Sequence, residues 1–268
     1  MNRISLNVLN NSIIHLDNAQ NDRFVLDMEQ VKENQTIVIP EGTSSNIVII
    51  NIKDNMELLF EINDRSSLLV SFLTENPANN IKITANVGQS SVFTGYFADF
   101  INTDTKGQIT VNLNKEGGTC DWHLASLANS TVRKEFDVSV YHNAINTFAT
   151  MDNYGVCRDD AKLIFSGVSK IEKGSSGSKT HQNAKIMVFD ERSNGVAKPI
   201  LKIDENDIEA SHAAIVGKIN DEHIFYLTSR GLSEDEAKRL ITYGYLKPIL
   251  KGFDDEEMRQ RIEGLIEG

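Results

Sequence analysis

The stretch at residues 81–87 reads Ile81-Lys82-Ile83-Thr84-Ala85-Asn86-Val87, with apolar and polar side chains in strict alternation. Successive side chains of a β-strand point to opposite faces, so this period of two predicts a strand with one buried and one solvated face. The same alternation returns at residues 109–113 and 136–140. Strand-like segments recur about every 10–15 residues between turns that contain Asn, Asp and Gly, which is typical of an all-β architecture.

The pattern leaves three architectures open, namely sandwich, barrel and β-solenoid. No strict residue repeat is present, so periodicity alone does not select the solenoid. The composition changes near residue 220, because all 26 asparagines lie in residues 1–220 and none follows. Asparagine is a poor helix former that favours turns. We therefore predict a β domain over residues 1–220 and a helical segment over residues 221–268.

The C-terminal segment carries several helix signals. Ser233 and Glu236 have the spacing of a capping box, in which each side chain accepts from the other residue's backbone amide. Apolar residues follow at helical spacing, but so few helices cannot bury all their apolar stripes against one another. The segment is therefore predicted to dock on the β domain or on another protein. The other expected boundaries are a cap at Asp221, breaks or kinks at Gly244 and Pro248, and a third helix from Asp254.

Charge and composition exclude several classes of function. The chain has 27 Lys and Arg against 38 Asp and Glu, a formal net charge of −11, which argues against binding to nucleic acid or to an anionic membrane. No stretch approaches the roughly 18 consecutive apolar residues that a membrane span needs. Its two cysteines are too few for a disulfide framework, which fits a reducing compartment. We predict a cytoplasmic protein with no nucleic-acid partner and no membrane insertion.

Three motifs resemble chemical sites, but none meets the requirements of such a site. Residues 174–180 resemble a phosphate-binding loop, but Ser178 separates Gly177 from Lys179, so the segment is predicted to be a turn and the chain to hydrolyse no ATP. Cys120 and His123 are metal-type ligands, yet a strand places residues three apart on opposite faces. Cys157 has no base placed near it by the sequence.

His212 is the most informative single residue. It lies among small side chains in the segment 209–217, at the junction of the β domain and the helices. An imidazole there can ligate a metal or cap a backbone carbonyl. A lone histidine specifies no ligand set, so the residues alone leave both interpretations open.

An ordered series of short motifs covers roughly residues 130–268 and resembles the SufB/SufD family, the scaffold subunits of the SUF iron–sulfur cluster assembly machine. Its members in this chain are Asn153-Tyr154-Gly155-Val156, Arg158-Asp159, Phe165-Ser166-Gly167, Lys198-Pro199, Ser211-His212-Ala213-Ala214-Ile215-Val216-Gly217, Phe225-Tyr226 and Arg230-Gly231-Leu232-Ser233-Glu234-Asp235-Glu236-Ala237.

The resemblance implies a mainly β fold, namely a right-handed parallel β-helix with a small C-terminal helical segment that binds SufC, an ABC-type ATPase. The chain resembles the SufD type, because Ala184 stands where SufB-type chains carry a cysteine and Ala213 stands where they carry a glutamate after the histidine. It looks like a short form that lacks the family's usual N-terminal helical domain. The resemblance further implies no intrinsic cofactor, a transient iron–sulfur cluster at a subunit interface, and His212 as a candidate ligand there.

The predicted function is that of a non-enzymatic scaffold or adaptor. Its partners are expected to be a SufC-type ATPase and either a SufB-like chain or a second copy of itself. A stand-alone β-solenoid enzyme acting on polysaccharide is the alternative, although no acid pair at a recognisable spacing supports it. A general assembly module without a role for metal is a third option. The residues expected to contact the ATPase are Phe225, Arg230, Leu232, Lys238, Leu240, Tyr245 and Leu246.

Overall fold

The alternating segments form strands that coil into two parallel sheets, in a computed structural model that describes residues 13–16, 23–31 and 34–267. Odd-numbered strands build sheet 1: β1 (Ile13–His15), β3 (Gln35–Ile39), β5 (Met56–Ile62), β7 (Asn80–Val87), β9 (Thr105–Leu113), β11 (Arg133–His142), β13 (Lys162–Ile171) and β15 (Asn194–Ile203). Even-numbered strands build sheet 2: β2 (Arg23–Asp27), β4 (Ser44–Ile50), β6 (Ser67–Thr74), β8 (Val92–Asp99), β10 (Thr119–Ala128), β12 (Phe148–Cys157), β14 (Ser178–Val188) and β16 (Ile208–Lys218).

Every coil of the chain adds one strand to each sheet, so the predicted parallel β-solenoid is confirmed. The coils lengthen along the chain: Gln35 pairs with Leu58, 23 residues further on, whereas Gly167 pairs with Pro199, 32 residues further on. Strands lengthen as well, from the five residues of β3 to the eleven of β16. A coil of changing length leaves no fixed repeat in the sequence.

The alternation predicted at residues 81–87 places Ile81, Ile83, Ala85 and Val87 inside the solenoid. Aromatic rings occupy the interior of the middle coils around the fully buried Trp122, whose ring lies 6.3–6.4 Å from three phenylalanine rings. Burial of a large apolar side chain stabilises the fold by about 1.5–3 kcal/mol. The interior therefore supplies much of the stability of the β domain.

The corners of successive coils stack in a column of left-handed residues, and each donates its amide to a carbonyl of the next coil. The members are Gly42, Arg65, Ser90, Gly117, Asn146 and Gly177. Positive φ favours glycine and tolerates asparagine. Residues 174–177 form one of these corners, and Ser178 already begins β14, so the predicted turn is confirmed for the first half of the segment 174–180.

Three helices follow β16: α1 (Asp221–Thr228), α2 (Glu234–Leu246) and α3 (Glu256–Glu267), with a 3₁₀ segment (Lys247–Gly252) between α2 and α3. The capping box of Ser233 and Glu236 is present. Two expectations are wrong: Asn220, not Asp221, caps α1, and α3 begins at Glu256, not at Asp254. Helix α2 continues through Gly244 and ends at Leu246, two residues before Pro248, so the predicted interruption falls at the proline and not at the glycine. Glycine in a helix costs only about 1 kcal/mol, and the buried contacts of Leu246 keep the last turn helical.

The helices pack on the outer face of sheet 2 and form a second apolar core. Leu246, Ile249, Phe253 and Ile262 lie against outward-facing side chains of the even strands, such as Leu73, Ala98, Ala125 and Val156. Arg261 of α3 forms a bidentate ion pair with Glu75. The prediction that the helices must dock is therefore confirmed for α2, the 3₁₀ segment and α3, which dock on the β domain.

Candidate functional site

The last coil forms the open end of the solenoid, which we define as strands β15 and β16. Within the described part of the chain, each of these strands pairs with only one neighbour in its sheet. Ile200, Ile215 and Val216 are exposed there, although they continue columns of side chains that are shielded in earlier coils. An unpaired strand with exposed apolar side chains is a template for pairing with another strand.

His212 lies on β16 in the column of side chains that faces into the solenoid. The same column contains Gln182, Met151 and Trp122 in the three preceding coils, and all three are buried. No further coil of the described residues covers His212, so it is exposed at the mouth of the interior. Its ring makes no hydrogen bond or ion pair within the described part of the chain, and both ring nitrogens are therefore available.

Neither thiol can join His212 as a ligand. Cys120 and Cys157 are fully buried, and burial raises the pKa of both thiols above the ordinary value. The reactive form of cysteine is the thiolate, so these are inert structural side chains. No group of three or more His, Cys, Asp and Glu side chains suited to a metal ion occurs among residues 13–16, 23–31 and 34–267.

His123 faces outward from β10, opposite to Cys120, as the strand period predicts. Its Nε2 lies 3.0 Å from Oδ2 of Asp121, and its Nδ1 lies 3.8 Å from Oδ2 of Asp152. Burial by itself would raise the pKa of Asp121, but hydrogen bonds from His123 and Thr150 outweigh it and lower the pKa below the ordinary value. A carboxyl group held ionised in this way is unsuited to protonate a glycosidic oxygen.

A second exposed surface lies on α1 and α2. We define the helix patch as Phe225, Tyr226 and Leu240, whose exposed fractions are 73, 56 and 50 %. The guanidinium group of Arg230 lies 5.0 Å from the centre of the Tyr226 ring, and helix α1 has no buried residue. The sequence prediction named Phe225, Arg230 and Leu240 but not Tyr226, although its place beside Phe225 on an unburied helix would have identified it.

Four other predicted contact residues differ in their exposure. Leu232 and Lys238 are half-buried, and Lys238 forms an ion pair with Glu234 at 2.8 Å. Tyr245 is half-buried edge-to-face against Tyr154, and burial raises its pKa to about 12. The expectation that Leu246 is an exposed contact residue is wrong. It is fully buried in the second core, because the last turn of α2 faces sheet 2.

No helix in the described ranges combines the length and the apolar character that crossing a bilayer requires.

These features define a class of protein: a parallel β-solenoid with an uncovered last coil and a helical tail that leaves an apolar patch free. The family model described as "SUF system FeS cluster assembly, SufBD core domain" matches residues 12–245. The chain belongs to this family of iron–sulfur cluster assembly proteins.

Curated relatives agree with the family model. The chain is 33 % identical over 164 residues to the iron–sulfur cluster assembly protein SufD of Bacillus subtilis, a match that covers 61 % of this chain and 38 % of the relative. It is 24 % identical over 251 residues to a SufBD family protein of Staphylococcus saprophyticus, which covers 88 % of this chain and 54 % of the relative. A SufBD family protein of Mycobacterium bovis is 30 % identical over 146 residues, covering 53 % of this chain and 17 % of the relative. The chain thus matches at most about half the length of these three relatives.

Proposed function

We propose that this protein is a non-enzymatic scaffold subunit of a SUF-type assembly complex in the cytoplasm. The observation that carries the proposal is the open end, which presents His212 from an interior column while two strand edges remain unpaired. A SufB-like chain or a second copy of this chain would cover these edges. A SufC-type ATPase would bind the helix patch.

Strand addition supports pairing at the open end. An exposed strand edge offers a row of backbone donors and acceptors, so a partner strand gains hydrogen bonds along its whole length. Both sheets end at the same coil, and a partner with two edges of its own would extend both sheets at once. Ile215 and Val216 would then be buried between the two solenoids.

The ligand chemistry of the open end supports a shared cluster and not a resident one. Iron–sulfur clusters are held mainly by cysteine thiolates, with histidine as a recurring substitute. Both thiols of this chain are buried, whereas the ring of His212 is free. In the proposed complex His212 supplies one ligand to a transient cluster, and the partner chain supplies thiolates.

Replacing Phe225 and Leu240 with aspartate is expected to weaken binding of the SufC-type ATPase at least tenfold. Both side chains are exposed, so charges are tolerated in the free chain but would be desolvated unpaired in the interface. Isothermal titration with the purified ATPase gives the dissociation constants. Ile145→Asp is the matched control, since Ile145 is also exposed but lies in the turn between β11 and β12. Undiminished affinity of the double variant, with normal folding, would place the ATPase elsewhere.

His212→Ala is expected to abolish most cluster loading on the complex purified from cells, because one ligand of the mixed set is lost. Iron and acid-labile sulfide are measured after anaerobic reconstitution with Fe²⁺ and sulfide. His181→Ala is the matched control: His181 lies on the adjacent strand, hydrogen-bonds Ser211 at 2.7 Å and faces outward. Equal loading of the His212→Ala and wild-type complexes would remove His212 from the ligand set.

A further inference from the structure

The interior of the solenoid becomes partly polar in the coil next to the open end. In the middle coils its columns are filled by Trp122, Phe136 and other apolar side chains. In the next-to-last coil three polar side chains lie in columns that are apolar in earlier coils: Gln182 in the column of Trp122, Thr180 in that of Cys120 and Ser169 in that of Val140. All three are at least 96 % buried. Burying polar groups costs free energy unless their hydrogen bonds are made. The hydrogen bonds of Ser169, Thr180 and Gln182, which we call the polar layer, therefore determine the cost of burying them.

The hydrogen bonds of the polar layer fix the orientation of the Gln182 amide. Nε2 of Gln182 donates to Oγ of Ser169 at 2.7 Å and to the carbonyl of Ile200 at 3.1 Å, while Thr180 also donates to Ser169 at 2.8 Å. The Ile200 carbonyl can only accept, so Nε2 must face it. Both amide protons are used, and the opposite atom, Oε1, is thereby held in place.

Oε1 of Gln182 has no hydrogen-bond partner among the described residues, although it is buried. It fits against the backbone of Gly167 so closely that a Cβ atom there would lie 2.7 Å from it. Oε1 of Gln182, an acceptor without a donor, therefore occupies the space that a side chain at position 167 would fill. Leaving such an acceptor unsatisfied is costly, which is why buried orphan acceptors are rare.

The nearest unused donor along the chain's own column is His212, one strand further on. Gln182 and His212 are direct Cα partners in the parallel pair of β14 and β16 and share the inward face. Neighbouring strands are about 4.8 Å apart, so a ring N–H of His212 can reach the amide of Gln182 by rotation of the exposed side chain. A metal-ligating histidine almost always donates its other ring N–H to a second acceptor.

We propose that Gln182 is a positioning residue, whose Oε1 accepts a ring N–H of His212 and so fixes the tautomer that presents the opposite nitrogen to the outside. Ser169 and Ile200 hold the amide, and Gly167 leaves room for it. The inference rests on the proposed function for its purpose, but the contact between the two side chains can be tested without a metal.

The contact is tested by NMR on the full-length chain labelled with ¹⁵N-histidine. Long-range ¹H–¹⁵N correlation spectra give the chemical shifts of the two ring nitrogens of His212, which report its tautomer. The signals are assigned by their loss in His212→Ala. At mildly alkaline pH, the wild-type chain is expected to show one tautomer, and Gln182→Met a mixture of two. Methionine preserves the volume but has no acceptor for the ring N–H. Thr180→Val is the control, because it perturbs the same Ser169 network without touching Oε1. Identical tautomer populations in wild type and Gln182→Met would overturn the proposal.

Its consequence is tested on the complex purified from cells, with Fe²⁺ as the probe. Loss of an outer hydrogen bond to a metal-bound histidine lowers metal affinity by about 10–100-fold, so Gln182→Met is expected to bind Fe²⁺ at least tenfold more weakly while Thr180→Val binds normally. Equal losses in both variants would indicate packing alone and overturn the positioning role. If His212→Ala binds Fe²⁺ normally, the proposed function of His212 fails, and the tautomer measurement still decides whether Gln182 orients the ring.

Discussion

Replacing Lys134 with methionine is expected to lower the free energy of unfolding by about 3–5 kcal/mol, because it leaves a buried carboxylate without its counter-charge. Lys134 lies in β11 and Asp99 ends β8. Both side chains are fully buried, and Nζ of Lys134 lies 2.8 Å from Oδ2 of Asp99. Lys134 also donates to the carbonyl of Ile101 at 2.7 Å. Thr74 and Ser126 donate to the two carboxylate oxygens, so every polar atom of the carboxylate is used.

Two further variants distinguish the charge from the packing. Adding Asp99→Asn to Lys134→Met is expected to recover part of the loss, because the neutral amide keeps an acceptor for Thr74 or Ser126 and removes the unpaired charge. Lys82→Met breaks the exposed ion pair with Glu57 and is expected to cost less than about 1 kcal/mol. Urea unfolding of the four proteins gives these differences. A loss below 1 kcal/mol for Lys134→Met would contradict the assignment of a buried charge pair.

The pattern of the sequence identified strands but could not by itself choose how they assemble. Alternation at residues 81–87 reports which side chains are buried, and it is the same in a sandwich and in a solenoid. The evidence for stacking lies in pairs such as Gln35 with Leu58 and Gly167 with Pro199, whose separations differ by nine residues. A search for a fixed repeat cannot find coils that lengthen, and the family resemblance supplied the choice.

The candidate site was predicted in part, for physical reasons that differ between residues. Phe225 and Leu240 are apolar residues on helices too short to bury them, and their exposure follows from the amphipathic pattern. Leu246 belongs to the same pattern, but its burial depends on the face that α2 turns towards sheet 2. Gln182 carried no signal, because the feature that distinguishes it is an unpartnered atom in a three-dimensional network.

The open end and the helix patch are connected by a linker of two residues. Only Ile219 and Asn220 separate β16 from α1, and Ile219 is buried in the second core. Binding at the helix patch therefore acts on a segment that is directly continuous with the strand bearing His212. In the proposed complex, this connection would be the shortest covalent route from a partner bound at the helix patch to the open end.

Stability is expected to fall by about 2 kcal/mol between pH 7.5 and pH 5 through His142 alone. His142 is buried inside the solenoid, where burial lowers its pKa to about 4 from the ordinary value of 6.5. Its Nδ1 lies 2.8 Å from Oγ1 of Thr147, and its Nε2 has no partner among the described residues, so nothing there stabilises a second proton.

The sign follows from where the proton binds. Because the folded pKa lies below the unfolded one, the unfolded chain takes up a proton as the pH falls below 6.5, while the folded chain stays neutral until about pH 4. The stabilisation by neutral His142 is complete above pH 6.5 and is lost progressively down to pH 4. His142→Asn removes the titrating ring and keeps a polar atom for Thr147. Urea unfolding at pH 7.5 and 5.0 should therefore show a smaller loss in this variant than in the wild type by about 2 kcal/mol. Equal losses in the two proteins would mean that His142 is protonated in the folded chain at pH 5.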